Sequence, residues 1–130
     1  KLTQLRHLRM LPDLAAVRAQ MTRHRAVIRP KFEMALNAFA TELCGLPGVS
    51  WTKPNGGYFI SLDLPDGCAS RAVALAKEAG LVLTPAGATF PYGRDPKDAN
   101  IRVAPTYPSL AELEKALDLM VCCVRLAVGI

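Results

Sequence analysis

The strongest constraint on the fold of this chain is the alternation of apolar and polar residues in the run YFISLDL, residues 58–64. One set of alternate positions is entirely apolar and the other contains a serine and an aspartate: Tyr58, Ile60, Leu62 and Leu64 against Phe59, Ser61 and Asp63. A repeat of two residues predicts a β-strand with one face in a core. Because a single strand cannot bury that face alone, the chain must supply further strands and a covering layer.

Turn-forming residues separate this run from other short strand candidates. The tetrapeptide PNGG at residues 54–57 precedes the run, and PDG at residues 65–67 follows it. Short apolar segments predict three more strands, over residues 49–52, 81–84 and 100–104.

Apolar residues at helical spacing predict three helices. The first extends over residues 13–43, with a kink or break expected just before Pro30, and the second extends over residues 69–79. The last helix begins at a capping box formed by Ser109 and Glu112. The apolar stripe of the first helix comprises Leu14, Val17, Met21, Ile28, Phe32, Leu36, Phe39 and Leu43.

The order helix, strand, strand, helix, strand, strand, helix predicts a two-layer α/β domain of the α+β type. Its small sheet is expected to be mainly antiparallel or mixed and to be covered by helices. We expect residues 1–130 to form one domain, since a chain of this length can bury roughly two-thirds of its unfolded surface. Within it, residues 1–45 form a long helical segment and residues 46–130 form the sheet portion.

No apolar run approaches the roughly 20 residues that a membrane span requires. The start of the chain shows no signal-peptide pattern, because basic residues interrupt its apolar ones. The sequence therefore predicts a soluble domain with no membrane partner, and the missing initiator methionine predicts a fragment.

Positive charge is concentrated near the N-terminus. The chain has a net charge of +5, yet residues 1–31 contain eight basic residues against one acidic residue, a net charge of +7. A basic helix can bind the phosphates of nucleic acid, but it can equally be a solvated face. No aromatic residue stands among these charges to stack on bases, which argues against a nucleic-acid partner.

The four cysteines form no CxxC pair and have no histidines at metal-binding spacing, so we expect no metal site. We predict that they are buried or partly buried reduced thiols in a cytoplasmic protein. They are Cys44, Cys68, Cys122 and Cys123.

One charge stands inside the last predicted strand. In NIRVAPTYP, residues 100–108, Arg102 lies between Ile101 and Val103. Such an arginine either pairs with a surface carboxylate such as Asp63 or is kept for a ligand. A planar guanidinium can hold a carboxylate through two parallel hydrogen bonds. The strand alone leaves both interpretations open.

Glycines occur in two other segments near the predicted strands, in NGGYF and in PAGATF. Glycine permits close approach of the backbone to a ligand, but it also serves ordinary turns, and the spacing alone does not separate these roles.

Together, the segments GGYFISLDLP, AKEAGLVLTPAGATFPYG and NIRVAPTYP resemble the C-terminal small domain of fold-type I, pyridoxal-phosphate-dependent aminotransferases of class I/II. The resemblance is to a bacterial subgroup of these enzymes and extends to the aminotransferase-like half of certain GntR-type regulators. It covers essentially the whole chain, from RPKFEMALNAF to VCCVRLA. One departure is Ala86, which is inserted into a proline-glycine-x-x-phenylalanine pattern of the family.

The resemblance implies a substrate site built by five residues. Arg102 would bind the α-carboxylate of the amino-acid substrate. Gly56, Gly57, Gly87 and Phe90 would border the substrate and the outer edge of the cofactor. The family's cofactor is pyridoxal 5'-phosphate, which we expect in the full-length protein but not tightly held by this chain.

No catalytic and no cofactor-binding residue is expected within the chain. In the family, the lysine that forms a Schiff base with the cofactor lies upstream on a large domain, together with the phosphate-binding loop. The lysines present here stand in helix, turn or loop contexts that do not match that site: Lys1, Lys31, Lys53, Lys77, Lys97 and Lys115. The chain by itself is therefore predicted to be inactive.

The resemblance thus implies an enzyme that transfers an amino group between an amino acid and a 2-oxo acid, as a cytoplasmic homodimer of a longer chain. An alternative is an aminotransferase-like transcriptional regulator in which Arg102 binds an effector without turnover. A third possibility is a folding and dimerisation module. Fold alone does not decide among them.

Overall fold

The computed structural model describes all residues 1–130 and contains four α-helices, three β-strands and one short 3-10 helix. Contacts divide the chain into two compact units, residues 1–30 and residues 31–130. The elements are α1 (Leu2–Met10), α2 (Leu14–Glu42), β1 (Ser50–Trp51), β2 (Ile60–Asp63), α3 (Ala69–Glu78), the 3-10 helix (Pro91–Gly93), β3 (Asn100–Val103) and α4 (Leu110–Val128).

The first unit, residues 1–30, consists of α1 and the first half of α2. Asp13 starts α2, where its carboxylate Oδ1 accepts a hydrogen bond from the backbone N–H of Ala16 at 2.7 Å. The predicted apolar stripe does not form a core here, because Leu14 and Met21 are each 63% exposed. Nor does the helix break at Pro30, since α2 continues through it to Glu42.

The second unit contains an antiparallel sheet with the strand order β1-β2-β3. Trp51 of β1 lies opposite Leu62 of β2, and Leu62 also lies opposite Ile101 of β3. In the next register position Ser61 lies opposite Arg102. The alternating run therefore gives a sheet with one apolar and one polar face, as its period of two predicts.

Helices supply the layer that covers the apolar face. The C-terminal part of α2 contributes Phe39, whose ring meets the Trp51 ring edge-on at 5.9 Å between centroids. Helix α3 packs against α4 through small side chains. The fully or nearly fully buried core residues are Ala35, Phe39, Leu43, Ile60, Leu62, Leu64, Ala69, Ala72, Ala76, Ile101, Val103, Pro105, Leu113, Leu117, Met120, Val121, Cys123, Val124 and Ala127.

Helix α4 begins and ends as its sequence indicates. The Ser109 hydroxyl accepts from the backbone N–H of Glu112, and the Glu112 carboxylate accepts from the backbone N–H of Ser109 at 2.9 Å. The bond from the Ser109 side chain, followed by that from its backbone, lowers the pKa of Glu112. Gly129 ends the helix in the left-handed conformation, with φ of 88°. The predicted small α+β fold with an antiparallel sheet is confirmed.

The predicted strand over residues 81–84 is absent. After α3 and the left-handed Gly80, the backbone N–H of Leu81 turns back to the Ala76 carbonyl at 2.7 Å, which continues the end of the helix instead of starting a ladder. Val82 is 86% exposed, so the apolar character of this segment does not reflect burial within the chain. Tyr58 is likewise outside the core, because β2 begins only at Ile60.

All four cysteines are free. Cys123 is buried, and burial raises the pKa of its thiol. Cys68 is half-buried, whereas Cys44 and Cys122 are exposed, so the prediction of buried or partly buried thiols is wrong for those two. Cys122 and Cys123 are neighbours on α4 and point to different sides of the helix, which explains their different burial. None of the four helices combines the length and the apolar character needed to cross a membrane.

Candidate functional site

Arg102 lies on the polar face of the sheet, in the middle of β3. Its neighbours Ile101 and Val103 point into the core, so the strand period directs Arg102 to the opposite side. There it stands opposite Ser61 in the strand register, with the rest of the polar face of β2 beside it. The sheet therefore holds the base of this side chain on a rigid element.

The aromatic ring of Phe59 contacts the Arg102 side chain. The guanidinium carbon of Arg102 lies 4.6 Å from the centroid of the ring. Phe59 directly precedes β2 and occupies the same polar face as Ser61, two residues further along the chain. This distance is within the range of a cation–π interaction.

Arg102 makes no hydrogen bond and no ion pair within the chain. Its Nε–H is buried and has no partner. Its two terminal nitrogens also lack a partner within the chain, but they are not buried in the same way. Asp63 does not pair with it, since the Asp63 carboxylate accepts from the Asn100 side chain at 2.6 Å. The interpretation of Arg102 as a partner of Asp63 therefore has no support in the structure. An unpaired half-buried guanidinium is a group equipped to bind an anion.

Arg102 also lines an open cavity of about 380 Å³. The cavity walls are the segment of residues 81–84, residues 102–105, 107 and 108, and the inner side of α4. Its surface is mostly apolar, and Arg102 is its sole cationic residue. Such a composition suits a small ligand that carries a carboxylate and a less polar remainder. The lining residues are Leu81, Val82, Leu83, Thr84, Arg102, Val103, Ala104, Pro105, Tyr107, Pro108, Glu112, Leu113, Ala116, Leu117 and Met120.

Asn100 connects the polar face to the loop before β3. Its side-chain amide donates to the Ser61 hydroxyl at 2.7 Å as well as to Asp63, and its carbonyl oxygen accepts from the Thr89 hydroxyl at 2.7 Å. Asn100 is only 9% exposed, so these bonds satisfy a buried amide. They also tie the loop that contains Thr89 to the strand that carries Arg102.

The same loop is held by a carboxylate at its end. Asp95 accepts from the backbone N–H groups of Lys97, Ala99 and Asn100, at 3.0, 2.8 and 2.9 Å. The bond from the Ala99 backbone is the largest of the causes that lower the pKa of Asp95. The carboxylate thus fixes the chain as it turns into β3.

Gly87 is buried in this loop and has a structural requirement for glycine. Its φ is +81°, and a Cβ atom at this position would lie 2.5 Å from the carbonyl oxygen of Gly93. Both the backbone conformation and the space available exclude a larger residue without a shift of the loop. This explains Gly87 by packing, and Gly87 does not line the Arg102 cavity.

The remaining predicted site residues do not line the Arg102 cavity. Gly56 and Gly57 belong to the exposed turn that leads to Phe59, and only Gly57 has a positive φ, of 90°. Phe90 is 37% exposed and follows Thr89 in the loop tied to Asn100. The structure therefore places Arg102 alone of the predicted site residues in the cavity lining, and it ties the Thr89–Phe90 loop to β3 through Asn100.

Sequence reasoning did not identify Phe59 as part of this site. The alternation placed Phe59 on the polar face, which is an unusual position for a phenylalanine beside a serine and an aspartate. A phenylalanine on the polar face of a strand was the sequence signal that could have identified this residue. Its contact with Arg102 depends on the register between β2 and β3, which the sequence does not specify.

The positions of the six lysines bear on where pyridoxal phosphate would attach. Lysine is absent from the lining of the Arg102 cavity. Lys31 is the one half-buried lysine, and its ammonium donates to the Thr106 carbonyl at 2.7 Å. The other five are exposed. The lining of the Arg102 cavity thus contains a guanidinium but no lysine amine.

A larger cavity, of about 580 Å³, lies between α2 and α4. Its arginine, Arg125, is paired with Glu42 at 3.2 Å, so its charge is already matched. The Arg102 cavity is consequently the better candidate for an anionic ligand.

Comparison with known proteins finds relatives along nearly the whole chain. The family model of aspartate aminotransferase matches residues 1–129. A protein of Mycolicibacterium smegmatis named as an aminotransferase is 50% identical over 127 residues, which are 98% of this chain and 30% of that protein.

Two solved structures are also similar. An aspartate transaminase of Corynebacterium glutamicum has a TM-score of 0.91 at 46% identity, over 96% of this chain and 30% of that one. A kynurenine aminotransferase of Pyrococcus horikoshii, solved in complex with PMP, has a TM-score of 0.66 at 28% identity, over 78% of this chain and 24% of that one.

The chain thus spans about 30% of the length of the relatives from Mycolicibacterium smegmatis and Corynebacterium glutamicum. The match to the family model extends over nearly all of its residues, and the fold agrees with that of the solved relatives. The chain belongs to the aspartate aminotransferase family.

Proposed function

We propose that this chain is the C-terminal part of a pyridoxal-phosphate-dependent aminotransferase, which transfers an amino group between an amino acid and a 2-oxo acid. In this proposal Arg102 binds the α-carboxylate that both substrates share. The observation that carries the proposal is the half-buried Arg102 guanidinium, which has no hydrogen bond or ion pair within a chain of the aspartate aminotransferase family.

The chemistry of the two substrate classes supports a fixed guanidinium. An amino acid and the corresponding 2-oxo acid differ at the α-carbon but carry the same carboxylate. One arginine can therefore hold both, and its two parallel hydrogen bonds would keep the α-carbon in the same place in each half-reaction. The rest of the cavity is apolar enough to accept a side chain.

The cofactor is proposed to be held by the part of the longer protein outside these 130 residues. The relative from Pyrococcus horikoshii was solved with PMP, the aminated form of pyridoxal phosphate, which supports this cofactor for the family. When bound, pyridoxal phosphate supplies the electron sink for chemistry at the α-carbon. The proposed contribution of this chain is to bind and orient the carboxylate.

The relative from Corynebacterium glutamicum is named an aspartate transaminase, so aspartate is the first amino donor to test. The experiment compares the longer protein that carries this chain with its Arg102→Ala and Arg102→Lys variants in a transamination assay. Losing one partner of a desolvated charge pair costs about 2–5 kcal/mol, so Arg102→Ala should reduce kcat/KM by at least about 30-fold. Lysine keeps the charge but not the planar pair of donors, so Arg102→Lys should be impaired as well.

Arg71→Lys is a matched control, because Arg71 is an exposed arginine on α3 outside the cavity. It should leave kcat and KM unchanged. Unchanged kinetics in Arg102→Ala would contradict the proposed role. Amino-acid binding without any turnover in the unmodified protein would instead favour an effector-binding regulator.

A further inference from the structure

We infer that Phe59 is a positioning residue that holds the Arg102 guanidinium with its terminal nitrogens presented to a carboxylate. This inference rests on the proposed function, because it assigns to Phe59 the orientation of the group that binds the substrate. It follows from three observations: the stacking of the ring, the burial of Nε and the lack of an ion pair between Arg102 and any acid of the chain.

The first observation is that the ring covers a face of the guanidinium. Its centroid lies 4.6 Å from the Arg102 guanidinium carbon. A long arginine side chain would otherwise sample several rotamers, and binding a ligand would require ordering it. Contact with the ring restricts those rotamers before the ligand arrives, and the attraction of the cation to the ring strengthens the restriction.

Phe59 has little role in the core, which separates this function from ordinary packing. Its side chain is 48% exposed, and it stands on the polar face with Ser61 and Asp63. The neighbouring Ile60 provides the core contact at this end of β2 and is fully buried. A half-exposed ring on a polar face is best explained by the cation beside it.

The second observation determines which nitrogens are left for a ligand. The Nε–H of Arg102 is buried without a partner, while the terminal nitrogens make no bond within the chain and are not buried in this way. A carboxylate can therefore approach in the plane of the guanidinium and accept from the two terminal nitrogens. This end-on approach gives the paired hydrogen bonds that fix a carboxylate in one orientation.

The third observation is that the nearest acid on this face is already engaged. Asp63 accepts from the Asn100 amide at 2.6 Å and forms no ion pair with Arg102. The ring can hold the guanidinium but cannot neutralise it. Since no carboxylate of the chain pairs with the guanidinium, it is available to an incoming anion.

The test compares Phe59→Leu with Phe59→Tyr, the conservative variant that keeps an aromatic face. In the longer protein, loss of the ring should raise KM for both the amino acid and the 2-oxo acid about two- to five-fold, with kcat changed less than twofold, since a cation–π contact at an exposed site is worth about 0.5–1 kcal/mol. Phe59→Tyr should restore both KM values. A merely structural role would lower stability or kcat without this selective effect on KM.

A second measurement needs no turnover. Acetate, as a minimal carboxylate, and acetamide, as its neutral analogue, are titrated into the 130-residue chain while the NMR signal of the Arg102 Nε–H group is followed. In the parent chain acetate but not acetamide should shift this signal, and in Phe59→Leu a higher acetate concentration should be needed.

These two measurements separate the failure of each proposal. Weaker acetate binding in Phe59→Leu, together with no transamination in the parent protein, would retain the role of Phe59 and reject the proposed function. Normal transamination with the same KM in Phe59→Leu and the parent would reject the role of Phe59. The inference would also be rejected if acetate and acetamide had the same effect on the Arg102 signal.

Discussion

At the scale of single residues, most polar side chains on the polar face of the sheet satisfy one another's hydrogen bonds. Asn100 donates to both Ser61 and Asp63, and its carbonyl accepts from Thr89. The buried amide is satisfied by these groups, and the chain has two buried side-chain atoms without a partner: Arg102 Nε on this face and Trp51 Nε1 on β1. The site is therefore marked by a missing hydrogen bond more than by any sequence motif.

Gly87 supports the site from the adjacent loop, and its replacement gives a prediction at this scale. Gly87→Ala would place a methyl group 2.5 Å from the Gly93 carbonyl oxygen at a φ of +81°. The left-handed conformation costs a non-glycine residue about 1–2 kcal/mol, and the clash adds to this. We expect a clear fall in the free energy of unfolding, measured by urea denaturation.

Gly57→Ala is the matched control, because Gly57 has a similar φ of +90° but a methyl group added there would have no other atom within 4 Å. The fall in the free energy of unfolding of Gly57→Ala should reflect only the cost of the left-handed backbone conformation. Equal losses in the two variants would mean that the contact with Gly93 is unimportant.

At the scale of elements, local signals predicted the helices better than the strands. Helix α4 carries its own start, stripe and stop, in Ser109, the buried apolar residues and Gly129, and it forms as expected. The segment at residues 81–84 has strand-like composition but no partner, since pairing depends on residues distant in the chain. The same reason kept the Phe59–Arg102 contact from being predicted, although Arg102 itself stood out as a charge between two core residues.

The capping box of α4 gives the prediction at this scale. Ser109→Ala removes the acceptor for the Glu112 N–H and one donor to the Glu112 carboxylate. Replacing such a cap costs about 1 kcal/mol of stability. Thermal unfolding followed by circular dichroism should show a lower Tm.

Ser109→Asp should preserve most of the stability, because aspartate is also a good N-cap. A Tm for Ser109→Ala equal to that of the parent would show that the capping box contributes nothing. Since Glu112 lines the Arg102 cavity, the same variant also tests whether the start of α4 must be fixed for substrate binding.

At the scale of the whole molecule, the positions of the lysines bear on where the cofactor of the longer protein attaches. Five of the six lysines are exposed, and the sixth, Lys31, uses its ammonium to hold the Thr106 carbonyl at the cavity-lining loop. A lysine that bonds covalently to pyridoxal phosphate needs a desolvated site that favours its neutral form. The six lysines do not line the Arg102 cavity, so the proposed function assigns this chain the carboxylate-binding arginine and assigns the Schiff-base lysine to the rest of the longer protein.

This division predicts where the cofactor attaches. When the longer protein is mixed with one equivalent of pyridoxal phosphate, reduced with borohydride and digested, mass spectrometry should place the pyridoxyl group on a single lysine outside residues 1–130. The 130-residue chain treated in the same way should show only sparse, scattered labelling and no transamination. A single strongly labelled lysine within these residues would overturn the assignment, and Lys31→Arg would then show whether the half-buried ammonium is responsible. We expect Lys31 to keep its contact with the Thr106 carbonyl in the longer protein. Lys31→Arg should then leave KM unchanged, because arginine can also donate to that carbonyl.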